Sequence, residues 1–356
     1  MNFKLLGSIF CLSACVHCAA AADLNPMKNP VNFGVLGDSD SHSFHDRVLL
    51  NEPKIRGGEF RAVTYQWTEI IARLRPQQIN MGEWSTWGMP GRFAAMLGWI
   101  GFEDRAPRKE DYRYNFAISG AKCESLTTGM SRQTQRLVYL MDRDPAAWVD
   151  GIITIRIGIN SIGTHAPLAR FAHSGLSTAA QTEVDECAGY VRDAVQLIRA
   201  KHKTTRIVLI GILNNSDFIP WISHWKTPQE LQNIAAVMDA YDAALKQMAA
   251  TDANILFWDD RAWFAHYFGD RDEQGQPRYH GTSLGGRTIT YTQDDAPFNA
   301  ILADNHAGTV WNGLWARDLL EALNRHFGYA FTPITTQDIA NLADPDGKLG
   351  IAAPRQ

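Results

Sequence analysis

Gly34-Val35-Leu36-Gly37-Asp38-Ser39-Asp40-Ser41, residues 34–41, is the stretch that decides how this chain is read. It closes a mostly apolar run, Val31 to Leu36. A short apolar run stopped by glycine and aspartate reads as a buried strand ending in a tight turn. Such a turn at the carboxyl edge of a parallel sheet lifts one hydroxyl, Ser39, to the edge where open α/β folds place their sites. Gly37 permits the close turn, and Asp38 supplies a carboxylate that can accept the hydrogen bonds holding it.

Working outward, strand-like and helix-like segments alternate. The pattern predicts a helix over Thr68–Leu74, a central strand over Gly151–Ile157 and a helix over Thr182–Ala200 with Val184, Val191, Val195 and Ile198 on one face. Next come a strand over Arg206–Leu213, a helix from Pro228 to about Ala250, a short strand over Ile255–Trp258 and a closing helix over Thr309–His326. This alternation implies a mostly parallel sheet covered on both faces, a three-layer α/β/α sandwich. Three insertions interrupt it: His42–Gln66, the Gly-, Trp- and Pro-rich Met81–Arg113, and Ala262–Phe298, in which Tyr279–Gly286 and Arg287–Tyr291 read as a hairpin. The tail from Tyr329 lacks periodicity and is expected to wrap or fray.

Three further motifs carry chemistry. Asn115-Phe116-Ala117-Ile118-Ser119-Gly120-Ala121 offers Gly120 as an unobstructed backbone N–H donor. Gly158-Ile159-Asn160-Ser161, just past a strand, offers the amide of Asn160. Asp304-Asn305-His306, ahead of the last helix, offers His306 as a base and Asp304 as the acid that orients it. A serine hydroxyl is a poor nucleophile until a neighbouring base removes its proton. Acyl transfer also needs donors around the developing oxyanion, a contribution of several kcal/mol. Singly, each of these residues is an ordinary turn residue; the order nucleophile, donor, donor, base is what counts.

In that order the four motifs resemble the blocks of the SGNH (GDSL-type) hydrolases, and the resemblance spans most of residues 31–327. It implies a flavodoxin-like α/β/α fold with Ser39 as nucleophile, His306 as general base, and Ser39, Gly120 and Asn160 as the oxyanion hole. Two departures stand out. The family spaces its acid three residues before the histidine, and here the gap from Asp304 to His306 is two. Asp294, Asp295 or a Ser–His dyad oriented by a backbone carbonyl are therefore alternatives to Asp304. The third block usually reads Gly-x-Asn-Asp, and Ser161 stands in place of the aspartate.

The rest of the sequence sets the context. The 356 residues are 45% hydrophobic and 20% charged, with a net charge of −4, which offers no basic surplus for nucleic acid. Residues 1–22 read as a signal peptide: Lys4 precedes an apolar run, Leu5 to Val16, too short to span a bilayer, and small residues Ala19–Ala22 follow. A competing reading takes Leu12-Ser13-Ala14-Cys15 as a lipobox that leaves a lipid anchor on Cys15. Both readings place the protein outside the cytoplasm, periplasmic or secreted. Residues 23–328 form the expected hydrolase-like domain and 329–356 a C-terminal tail. Of five cysteines only Cys123 and Cys187 lie in the body, either as a bridge or as two buried thiols.

Weaker features complete the reading. Asp270–Gly275 lacks the ligand spacing of a calcium loop and reads as a solvated turn. His42 and His45 could line the cleft but form no metal-ligand pattern, and Trp84, Trp87 and Trp99 suit a substrate platform or lid packing. No P-loop or dinucleotide fingerprint occurs, and no metal or cofactor is called for. The expected function is hydrolysis of short acyl esters, acetyl groups on carbohydrate or small esters. The alternatives are polysaccharide O-acyl transfer, whose alginate-modifying enzymes share the Asp-x-His spacing, and non-catalytic binding on a hydrolase fold. The partner is accordingly a small-molecule or carbohydrate ester; the oligomeric state is left open.

Overall fold

The computed structural model of the protein describes residues 29–51, 55–98 and 105–351. The expected leader, with Cys11, Cys15 and Cys18, and Trp99 lie outside these residues. Five parallel strands make the central sheet: β1 (Val31–Gly37), β2 (Ile79–Asn80), β5 (Ile152–Arg156), β6 (Arg206–Ile210) and β7 (Ile255–Trp258). Their spatial order is β2-β1-β5-β6-β7, with β1 and β5 in register from Phe33–Ile152 to Gly37–Arg156. The chain winds one way from β1 to β2 and the other way from β5 onward. The carboxyl edge between β1 and β5 is therefore the switch point at which doubly wound sheets open a crevice.

Strand residues alternate between two cores. On one face Phe33, Val35, Ile152, Val208 and Ile210 pack against α1 (Trp67–Leu74), α8 (Asp260–Phe268) and α9 (Thr309–Phe327). On the other, Leu36, Ile153, Ile155, Ile207 and Leu209 pack against α3 (Gln133–Met141), α5 (His165–Ser174), α6 (Thr178–Lys201) and α7 (Pro228–Ala250). Burial on both faces is why these strands read as continuous apolar runs. Helix α7 starts where the sequence says, because Thr227 and Glu230 form a reciprocal capping box around Pro228.

Three regions hold more structure than their sequence patterns suggest. The second insertion contains an antiparallel pair, β3 (Trp84–Trp87) and β4 (Lys109–Tyr112), and a helix α2 (Gly91–Gly98). The third begins inside α8 and then forms the hairpin β8 (Thr282–Leu284) and β9 (Arg287–Gln293), with β10 (Asn299–Ile301) pairing β9. The tail wraps: Phe331, Ile334 and Ile351 are buried, and α10 (Thr336–Ala343) packs on α9. Eight residues make about two turns, too few for periodicity to stand out, and their burial comes from α9 rather than from local propensity. A disulfide joins Cys123, in the 3₁₀ turn Cys123–Leu126, to Cys187 on α6.

Candidate active site

Ser39 sits in the turn that leaves β1 and is 9% exposed. Gln133 from α3 grips the strand end, its Oε1 accepting from Gly37 N at 2.8 Å and its Nε2 donating to Gly37 O at 2.9 Å. A Cβ at Gly37 would collide with the Arg156 carbonyl of β5, so only glycine fits where the two strands part. Beyond it the Asp38 carbonyl accepts from Ser41 N and His42 N, and the Asp38 carboxylate accepts from Asp40 N at 3.0 Å. Burial and the neighbouring Asp40 push the Asp38 carboxyl well above its usual range. Gln66 Nε2 donates to the Ser39 carbonyl at 3.2 Å. Among the described residues the Ser39 N–H has no partner.

The second block lies beside this turn because Phe116 N donates to Val35 O and Ile118 N to Gly37 O, at 2.8 and 3.1 Å. Ile118–Ala121 is then a β-turn closed by Ala121 N to Ile118 O at 2.9 Å, with Gly120 third at φ +81°. A positive φ at that place is the mark of a type II turn and favours glycine. Gly120 is exposed, and its N–H is also without a partner among the described residues. The third block follows β5: Asn160, on the single turn Ile159–Ile162 (α4), donates from Nδ2 to Ala121 O at 3.0 Å. An amide nitrogen carries two hydrogens, so one remains to donate. Ser161, in the place of the family's aspartate, accepts from Cys123 N at 3.1 Å and braces the same loop.

His306 stands between β10 and α9, where Asn305 takes a left-handed conformation at φ +72° and Leu302 N donates to His306 O at 2.8 Å. The carboxylate at its ring is Asp304: Nδ1 lies 3.0 Å from Oδ2, off the line of a well-formed hydrogen bond. A two-residue offset in a turn allows closeness without alignment. Asp294 and Asp295 are engaged elsewhere, Asp294 accepting from Asp295 N and Asp295 from Ala303 N. Burial raises the Asp304 carboxyl, but His306 and Arg56 outweigh it and hold the group below its usual value.

Arg56 is the residue that sequence reasoning missed. It is 3% exposed, lies over the Phe44 ring, and reaches Asp304 Oδ2 from Nε at 3.2 Å. Its Nη2 reaches both His306 Nε2, at 3.1 Å, and Ser119 Oγ, at 3.2 Å. Guanidinium is a donor only, so His306 Nε2 is the acceptor and its proton sits on Nδ1, towards Asp304. No Ser39–His306 hydrogen bond is present; Arg56 holds the one lone pair on Nε2. A lone arginine in the sequence Lys54-Ile55-Arg56-Gly57-Gly58 carries no pattern that could have announced this.

His42 does not line the cleft but lies behind it, fully buried. Its Nε2 meets Asp46 Oδ2 and its Nδ1 meets Ser119 Oγ, each at 2.8 Å. Burial and the charge of Lys109 bring His42 down to about 4, so the ring is neutral. His45 pairs with Glu69 at 2.8 Å. Trp84 packs edge-on to Tyr112, and Trp87 lies under the Arg113 guanidinium. Asp272 closes its own turn by accepting from Gln274 N and Gln276 N. Among the described residues no cluster of histidine, cysteine and carboxylate side chains could hold a metal ion.

A largely apolar cavity of about 780 Å³ opens beside Ser119, Gly120 and Ala121, with Phe93, Pro107, Met130 and Tyr190 among its walls. A second, of about 530 Å³ between α8 and α9, touches none of these residues. The structure thus gathers Ser39, Gly120 and Asn160 at the switch-point edge and joins His306 to Asp304.

The sequence model of the GDSL-like lipase/acylhydrolase family matches residues 82–287, which include Gly120 and Asn160 but neither Ser39 nor His306. Among solved structures, a phospholipase A1 from Streptomyces albidoflavus NA297 is similar at 13% identity over 83% of this chain and 99% of its own, with a TM-score of 0.33. An extracellular lipase from Streptomyces rimosus is similar at 15% identity over 70% of this chain and 87% of its own, with a TM-score of 0.30. No curated protein matches the chain.

Proposed function

This chain belongs to the GDSL-like lipase/acylhydrolase family, carboxylic ester hydrolases, and on that premise we propose that it is an exported serine esterase of short acyl esters, acetyl groups on carbohydrate or small esters. Ser39 Oγ attacks the ester carbonyl while His306 Nε2 takes its proton. The oxyanion is held by the N–H groups of Ser39 and Gly120 and the free amide hydrogen of Asn160. His306 returns the proton to the leaving alcohol, then draws one from the water that releases the acid. Asp304 stabilises the imidazolium between these steps. Export is supported by the leader pattern and by the Cys123–Cys187 bridge, a bond typical of oxidising compartments.

The observation that carries this reading is that Ser39 and Gly120, whose N–H groups have no partner among the described residues, lie on two turns tied together by Ile118 N to Gly37 O, with Asn160 tied to the second through Ala121 O. A buried backbone donor such as that of Ser39 is rarely left without a partner unless something else fills the place, and the exposed N–H of Gly120 is open to an incoming oxygen. A second reading, esters of longer apolar acyl groups, is favoured by the apolar cavity against Gly120, which is far larger than an acetyl group needs. Hydrolysis of p-nitrophenyl acetate, butyrate and octanoate separates the two. Turnover of acetate, lost by about a hundredfold or more in Ser39→Ala and in His306→Ala, is the expected result. Octanoate as the best substrate points to the second reading, and an inert, folded protein overturns both.

A further inference from the structure

We propose that Arg56, held from behind by Ser119, His42 and Asp46, is a positioning residue that selects the tautomer of His306 and keeps its Nε2 an acceptor. The inference rests on the reading of His306 as the base. A carboxylate at one end and a guanidinium at the other set the directions of a row of hydrogen bonds from Asp46 to His306. Asp46 accepts from Val48 N, Leu49 N and Glu110 N at 2.7 to 3.1 Å, and against burial it is held below its usual range by His42 and by the Val48 and Glu110 N–H groups. A carboxylate can only accept, so His42 donates from Nε2 and leaves Nδ1 as an acceptor. Two donors of Ser119 share the lone pair of His42 Nδ1, the hydroxyl at 2.8 Å and the backbone N–H at 3.2 Å. The Ser119 lone pairs are left to accept from Arg56 Nη2.

Arg56 Nη2 carries two hydrogens, and the second meets His306 Nε2 while Nε–H meets Asp304. Three contacts in a rigid plane fix the guanidinium, as its planar fork allows. The consequence falls on His306. Its basic nitrogen is presented on one side, its N–H is turned to Asp304, and a permanent cation stands against the ring. The tautomer with its proton on Nε2 would lose the hydrogen bond from Arg56, and the one with its proton on Nδ1 keeps it. The groups that face His306 are Asp304 from its own loop, Arg56 from the loop before Gly57, and the uncharged edge of Phe44, whose ring centroid is 6.3 Å away. Asp40 and Glu69 act on Arg56 from further off. Because Nε2 has a single lone pair, Arg56 yields it when Ser39 comes to donate, so the contact seen here is the resting one.

The test pairs spectroscopy with kinetics on the full chain. In the Ser39→Ala protein, ¹⁵N spectra of His306 are expected to show the Nδ1–H tautomer, and a predominant Nε2–H form in that protein overturns the proposal directly. Arg56→Met is expected to turn this into a mixture and to move the acid limb of the kcat/KM profile up by about one pH unit. Arg56→Lys, which keeps the charge, should leave the limb near its parent position, and Ser119→Ala should move it part of the way. Superimposable profiles for parent and Arg56→Met sink the proposal while leaving the esterase reading intact. Full activity in Ser39→Ala sinks the esterase reading itself. Should Arg56→Met fail to fold, Ser119→Ala and His42→Gln probe the same row from behind, and profiles unmoved in both count against it.

Discussion

At the scale of single residues, the site is defined by what its atoms lack as much as by what they touch. Among the described residues the N–H groups of Ser39 and Gly120 have no partner, and His306 presents Nε2 to Arg56. The misaligned Asp304 contact has a measurable consequence. Asp304→Asn is expected to lower kcat by about ten- to a hundredfold, less than the loss in His306→Ala, because an off-line carboxylate contributes charge more than ring orientation. A loss equal to that of His306→Ala refutes this division. Gly120→Ala is a second case. Among the described residues no atom beyond its chain neighbours lies within 4 Å of where its Cβ would be, so the cost is the strain of φ +81°, about 1 kcal/mol and a fall in Tm of about 1–2 °C. If the turn relaxes and tilts the N–H, kcat falls with KM little changed; an unaltered kcat argues that Gly120 is no oxyanion donor.

At the scale of elements, the site depends on ties between segments far apart in the chain. Gln133 of α3 clamps the end of β1, Asn160 of α4 reaches the Gly120 loop, and Glu69, three residues into α1, accepts from Phe44 N and His45 N in the loop after Ser39. The Cys123–Cys187 bridge ties that same Gly120 loop to α6 across 64 residues. Closing a loop of this length restricts the unfolded chain, a stabilisation of about 2–4 kcal/mol. Cys123→Ser with Cys187→Ser should therefore lower Tm by several degrees, and the loss of activity should follow the loss of order at Gly120. A double variant with unchanged Tm by calorimetry speaks against the bridge as a stabilising element.

For the molecule as a whole, the two faces of the sheet carry separate cores, and the polar groups are concentrated at the carboxyl edge between them. His42 gives that buried polarity a pH signature. Its value near 4 in the folded protein lies below the ordinary 6.5, so between those pH values the unfolded chain binds the extra proton. Stability is therefore lost as pH falls from 6.5 to 4, by up to about 3 kcal/mol from this group. Asp38, raised by burial and by Asp40, slopes the other way, and comparing two proteins that both contain it removes its part. His42→Gln should flatten the fall of Tm with pH in that window relative to the parent; parallel curves exclude His42 as its source.

The strands and long helices were legible in the sequence because each has a local cause. Apolar runs at β1, β5, β6 and β7 follow from burial on both faces, and the α7 start follows from Thr227, Pro228 and Glu230. The four motifs were legible too, since each is a short turn with its own residue requirements. Arg56, the His42–Asp46 pair behind Ser119, and the α10 wrap were not. Arg56 lies 248, 250 and 63 residues from Asp304, His306 and Ser119, the three groups it meets, and nothing local constrains it. Composition and pattern by themselves determined the layers, the order of the motifs and the candidate Ser39, Gly120, Asn160, His306 and Asp304. Only the tertiary structure decided which carboxylate reaches His306 and which nitrogen of that ring is basic, because hydrogen-bond direction depends on partners that only folding brings within 3 Å or so.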